Sequence, residues 1–175
     1  MIEIILDSKA FSDLLTQFAA FKNDKIRMVI MRATQRAATH TRKEAVSTIR
    51  QVYAMKAGDL KKRAEIKPNK TALSTVVKIR GPMESVKKYR VRANKRGVFV
   101  AIKKGAPSLV SGSFSYGKRL MARSGRERLP IHDLYGPSVP QLFGNSHVQE
   151  VVLKSGMEMY EKRLRHELER LVNKK

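Results

Sequence analysis

The sequence predicts a single α+β domain. Three observations carry that expectation. A long run over residues 25–54 contains no Pro or Gly and repeats apolar residues at helical spacing. A cluster of β-rich runs of strand length lies between residues 71 and 104. A second helical run covers residues 146–173. The chain length of 175 residues suits one domain, and the 42% hydrophobic content allows a modest core.

Taken in order, "IEIIL" (2–6) is short and β-branched and reads as a strand. Asp7 or Ser8 then caps a short helix over "KAFSDLLTQFAAF", in which Phe11, Leu14, Leu15 and Phe18 keep the 3.6 period. "KND" (22–24) breaks that pattern, and Asp24 caps the long helix. Ile26, Ile30, Ala33, Ala37, Ala45, Ile49 and Val52 or Tyr53 make its buried stripe, rich in Ala and so open to close approach. Arg32, Arg36, Lys43 and Arg50 form a second, basic stripe, which a solvated face also explains.

"MKAGDLKKRAEI" (55–66) reads as a turn and short helix closed by Pro68. "TALSTVVKI" (71–79), "VKKYRVRA" (86–93) and "VFVAIKK" (98–104) follow as strands, the last two joined at "NKRG" (94–97) by an Asn/Gly-type hairpin turn. The expected sheet is an antiparallel meander of three to four strands, the fourth being "SGSFSYG" (111–117). "KRLMARSGRERLP" (118–130) reads as a loop or loose hairpin, and residues 105–145 as a whole as an extended, irregular Pro/Gly arm. "SHVQ" (146–149) has capping-box spacing, and Val148, Val152, Met159 or Tyr160, Leu164, Leu168 and Leu171 stripe the C-terminal helix.

The formal net charge is +22. Such self-repulsion calls for a polyanionic partner or acidic neighbours. Between residues 60 and 126 stand nineteen Lys and Arg against only Glu65 and Glu84, which is +17 of the +22. In "VKKYRVRA", period 2 sets Lys88, Arg90 and Arg92 on one face, opposite Tyr89, Val91 and Ala93, while Lys95 and Arg96 crown the hairpin. With Lys87, Lys103 and Lys104 these residues are the candidate DNA or polyanion contacts. Aromatic content of 6% and the lack of Trp give no stacking pattern among the cations, so contact with backbone charge is expected.

Little points to catalysis, and no cofactor or metal is expected. Cys is absent, which removes disulfides, thiolate metal sites and Cys nucleophiles. His40, His132, His147 and His166 include no i,i+4 pair. "GSFSYGKR" (112–119) approaches a phosphate-binding loop, but Arg119 stands where the hydroxyl residue belongs. Asp59 with Glu65 and Lys67 only loosely resembles a nuclease set. The opening "MIEIILDSKAF" lacks the basic start and longer apolar stretch of a secretory signal. No run reaches the ~18 apolar residues of a membrane span, so a soluble protein without a membrane partner is expected.

One segment stands apart. "LPIHDLYGPSVPQLFGN" (129–145) has no Lys or Arg, three Pro and two Gly. Its Leu129, Leu134, Tyr135, Pro137, Pro140, Leu142 and Phe143 are candidate protein-docking residues on a stiffened arm. The competing reading is a loop folded over its own core.

"RLPIHDLYGPSVPQLF" (128–143) resembles the signature segment of the minor tail protein Z family, the tail-completion proteins of long-tailed bacteriophages. "RATQRAATHTRKEAVSTIR" (32–50), "MKAGDLKKR" (55–63) and the basic strands resemble the same family in the same order, so the similarity spans residues 25–145. "MIEIILDSKAFSDLL" is similar to the start of a broader group of head–tail neck proteins.

The resemblance implies a non-enzymatic virion protein at the head-proximal end of the tail, made in the host cytoplasm. It implies a ring of copies, with six the expected number. The implied partners are tail-tube, tail-terminator and tape-measure proteins and the end of the packaged double-stranded DNA. Composition alone supports a different class, a basic DNA-binding or ribosome-associated protein unrelated to virions.

Overall fold

A computed structural model describes residues 2–6 and 23–173 of the chain. The helix expected over residues 9–21 lies outside the described residues. The α+β class holds: two long helices pack against each other and share the main core with one antiparallel sheet, and three further small antiparallel sheets complete the chain.

Helix α1 (Asn23–Val52) runs for 30 residues, uninterrupted by the Pro or Gly that would break it. It buries Val29, Ile30, Ala33, Ala37, Ala38, Ala45, Val46 and Ile49. Thr34, Thr41 and Thr48 are buried as well. The Thr34 hydroxyl donates to the Met31 carbonyl (3.0 Å) and accepts from the Thr75 hydroxyl (3.1 Å), so a buried polar position of the helix is fastened to the sheet. The expected basic stripe of Arg32, Arg36, Lys43 and Arg50 is exposed.

Two short elements follow: α2 (Ala57–Arg63) and β2 (Ala64–Asn69). With β1 (Ile2–Leu6) and β3 (Ser74–Ile79), β2 forms the first sheet, in the order β1-β3-β2. β3 is its centre, pairing Ile2↔Ile79 to Leu6↔Thr75 on one side and Ala64↔Ile79 to Asn69↔Ser74 on the other. Two expectations change here. Pro68 does not close the helix but sits in edge strand β2, the position in a sheet where a residue without an N–H is tolerated. β3 also leaves the expected meander, because its apolar Val77 and Ile79 are fully buried under the helices with β1 as partner.

Three further small sheets are β4 (Met83–Ser85) with β11 (Tyr135–Ser138), β5 (Arg90–Asn94) with β6 (Gly97–Ala101) and β7 (Ser108–Val110), and β8 (Ser113–Tyr116) with β9 (Arg119–Arg123) and β10 (Ile131–Asp133). The arm expected to be irregular over 105–145 therefore carries five short paired strands, β7 to β11. β9, inside the run expected as a loop or loose hairpin, is the centre of the order β10-β9-β8.

A turn of helix, α3 (Val139–Phe143), leads into α4 (Ser146–Val172). Ser138 and Gln141 form a capping box on α3, and Asn145 caps α4 in place of the expected Ser146. α4 buries a ridge of residues four apart, Val148, Val152, Gly156, Tyr160, Leu164 and Leu168. Gly156 and the Ala-rich face of α1 let the helices approach closely, and Arg32 reaches Glu167 at 3.7 Å along the seam.

The main core joins α1, α3, α4 and the first sheet, while a second, smaller core holds Val86, Val98, Val100, Ala122 and Leu134. Ile102 packs against both. Two backbone bonds, Ala54 N–H to the Ile102 carbonyl (2.9 Å) and Lys104 N–H to the Val52 carbonyl (2.8 Å), fasten the end of α1 to the segment after β6.

Candidate polyanion-binding surface

The basic face is built by the β5–β6 hairpin. Its turn is Lys95–Arg96, held by the Asn94 side chain, whose Oδ1 accepts from the Arg96 N–H at 2.9 Å. Gly97 closes the turn at φ +130°, in the left-handed half of backbone space that glycine tolerates best. A Cβ there would also lie 3.0 Å from Leu109 and 3.1 Å from the Ser113 hydroxyl. The two-residue turn fixes the register Asn94↔Gly97, Arg92↔Phe99 and Arg90↔Ala101. Val91, Val98 and Val100 therefore face the small core, and Arg90, Arg92, Asn94, Phe99 and Ala101 share the outer face.

Against that outer face lies a cleft of about 750 Å³ lined by Arg90, Arg92, Phe99, Lys104, Pro107 and Ala54, among others, with no carboxylate among the described residues of its wall. Arg90, Arg92 and Lys104 are exposed and carry no hydrogen bond or ion pair to another side chain among the described residues. Cations left without anions in one concavity raise the local potential for a polyanion.

The expected cation set splits in two. Arg90, Arg92, Lys95, Arg96 and Lys104 lie on the hairpin or in its cleft. Lys103 is exposed beside it, in an isolated bridge to Tyr53. The strand expected over 98–104 ends at Ala101, and Lys103 and Lys104 belong to the turn beyond it. Lys87 and Lys88 are not on the strand at all. Residues Val86–Lys88 form a 3₁₀ turn, so the period-2 alignment of Lys88 with Arg90 and Arg92 fails.

The reason is Glu84, whose side chain is only 5% exposed. It binds Lys88 Nζ at 2.7 Å and Arg63 Nε at 3.0 Å. Burial pushes its carboxyl upward, but the hydrogen bond and charge of Lys88, with those of Arg63, outweigh this and hold it below the ordinary value. Lys88 is therefore committed inside the fold.

The seven docking candidates also divide. Leu134, Leu142 and Phe143 are buried at 8%, 1% and 2% exposure, so they close the protein's own core and offer nothing to a partner. This corrects the stiffened-arm expectation. The apolar residues of the segment found enough partners on Val86 and under the two helices to fold back. Pro137 and Pro140 are half-buried. The Pro137 carbonyl accepts from the Tyr89 hydroxyl at 2.6 Å. Tyr89 is pushed up to about 12 by burial, with the Glu84 charge and Tyr53 adding to it.

Gly136 lies against the Tyr89 ring, and a Cβ there would stand 2.7 Å from ring carbon Cε2. Leu129 and Tyr135 remain exposed. The β4–β11 register puts exposed Met83 on the same face as Tyr135, a neighbour that sequence reading missed.

Sequence reading also missed Phe99 and Pro107. The signal for Phe99 was present: a turn at Lys95–Arg96 counts outward to Arg92 opposite Phe99. Among the described residues no group of His, Asp and Glu converges as a metal site, and no helix is long and apolar enough to cross a membrane. Comparison with protein-family models, with curated proteins and with solved structures gave no match.

Proposed function

We propose that this chain is a structural, non-enzymatic virion protein of a long-tailed phage that completes the head-proximal end of the tail. In this reading copies assemble as a ring, with six the expected number. The ring presents the β5–β6 hairpin to the lumen and to the end of the packaged DNA. The observation that carries the polyanion part is the outer face of that hairpin, which holds no carboxylate among the described residues and leaves Arg90, Arg92, Lys95, Arg96 and Lys104 without an acidic partner there. The virion part is supported by the resemblance of residues 128–143 to the tail protein Z family. Exposed Leu129 and Tyr135, with Met83, are the surface through which tail-tube or terminator proteins would dock.

The test is imaging of virions carrying this protein. Density for it in a ring at the tail–head junction, hairpins inward, is expected. Density elsewhere in the particle, or its absence from purified virions, overturns the reading. Tight binding to structured RNA by the free chain would favour the ribosome-associated class.

A further inference from the structure

The cleft contains more than phosphate chemistry requires. A site for backbone charge alone needs only cations, as on the exposed hairpin tip. Here the cross-strand neighbour of Arg92 is the half-buried Phe99, and Pro107 stands in the same wall. Asn94, on the same face as Arg92 and Phe99, brings a side-chain amide that both donates and accepts. A volume of about 750 Å³ falls within the range of sites that enclose small organic ligands. In duplex DNA the base faces are already stacked on one another, so a partly exposed phenyl ring gains nothing from them. An unpaired base has a free face, and an aromatic ring beside guanidinium groups stacks it irrespective of sequence.

The geometry points to a cleft that takes an unpaired nucleotide of single-stranded nucleic acid. Arg90, Arg92 and Lys104 hold the phosphates and Phe99 stacks the base. This inference rests on the polyanion reading of the same face and adds a preference for single strands that the reading alone does not contain. It also replaces the expectation of backbone contact without stacking, because the ring that sequence reading placed in a strand interior faces the cations across the ladder.

Full-length protein is titrated with a fluorescein-labelled oligothymidylate of about ten nucleotides and with a duplex of equal length. The wild-type chain is expected to bind the single strand about tenfold more tightly than the duplex, which matches one stacked base. Phe99→Leu keeps an apolar side chain on the outer face, so it folds with an unchanged melting temperature, and it abolishes that ratio. Phe99→Tyr retains it. The triple variant Arg90→Gln, Arg92→Gln, Lys104→Gln weakens both ligands.

No single-strand preference in the wild type, or a ratio unmoved by Phe99→Leu, overturns the stacking inference while leaving the polyanion reading standing if the triple variant still weakens both. A triple variant that binds both ligands like the wild type overturns the polyanion reading and this inference with it.

Discussion

Replacing Glu84 by Gln tests the buried ion cluster that ties the β4 strand to α2 and to the 3₁₀ turn. The carboxylate is 5% exposed, with Arg63 at 3.0 Å and Lys88 at 2.7 Å. Removing one partner of a fully buried pair costs about 3–5 kcal/mol. Here the cations are 37% and 34% exposed, so once released both can recover water, and the cost falls to about 1–3 kcal/mol. For a chain of this size that is a fall in Tm of roughly 2–12 °C.

The same group sets a pH dependence. Its folded pKa lies below the ordinary 4.5, so its contribution is fully present above that value and is lost as pH falls through the folded pKa. Urea unfolding at neutral pH and in steps down through the acid range measures both effects. Glu84→Gln should be less stable at neutral pH, and its stability should fall less steeply with acid than that of the wild type. Equal stability at neutral pH together with an unchanged acid slope would refute the role given to this cluster.

Four other outcomes follow from the geometry. Gly136→Ala drives a methyl into the held Tyr89 ring and should cost about 1–3 kcal/mol by chemical denaturation, with a Tyr89→Phe background failing to restore it. Leu142→Ala should cost about 2–5 kcal/mol, since the side chain is 1% exposed, whereas a docking residue on a free arm would cost nothing. Neutralising Arg90, Arg92, Lys95, Arg96 and Lys104 should keep the fold with no loss of thermal stability, since it relieves like-charge repulsion, and should flatten the log–log salt slope of duplex binding by about 4–5. Tyr135→Ala with Leu129→Ala should stay within about 0.5 kcal/mol of wild-type stability and, under the proposed virion role, fail to enter particles, read by immunoblot of purified virions.

What the sequence disclosed depended on how local the cause was. The α1 stripe of Ile30, Ala33, Ala37, Ala45 and Ile49 and the α4 ridge from Val148 to Leu168 are written in periodicity, and both are buried as expected. The hairpin at Asn94–Gly97 is equally local. The partner of β3 is not, because β1 lies some seventy residues upstream and no short-range pattern distinguishes it from β5. The fate of Lys88 turned on one buried carboxylate four residues earlier, and its own alternation with Arg90 and Arg92 looked like a strand. In the 129–145 segment, Pro and Gly concealed strands. β11 tolerates Pro137 because its register slips between Gly136 and Ser138, so the missing N–H falls at an irregularity in the ladder.

The division into two cores has a consequence for how the molecule yields. The helices and first sheet share one large apolar body, while the basic sheet rests on the five-residue cluster of Val86, Val98, Val100, Ala122 and Leu134. Half of the net charge, +11 of the +22 over residues 86–133, crowds onto the lighter of the two. Lowering the salt strains that half the more by self-repulsion, because fewer apolar contacts oppose a like charge there, and a bound polyanion relieves it. Amide exchange should accordingly resolve two opening free energies, the lower one rising with salt and with ligand. A sturdy frame would then carry a finger whose stiffness is set by what it touches.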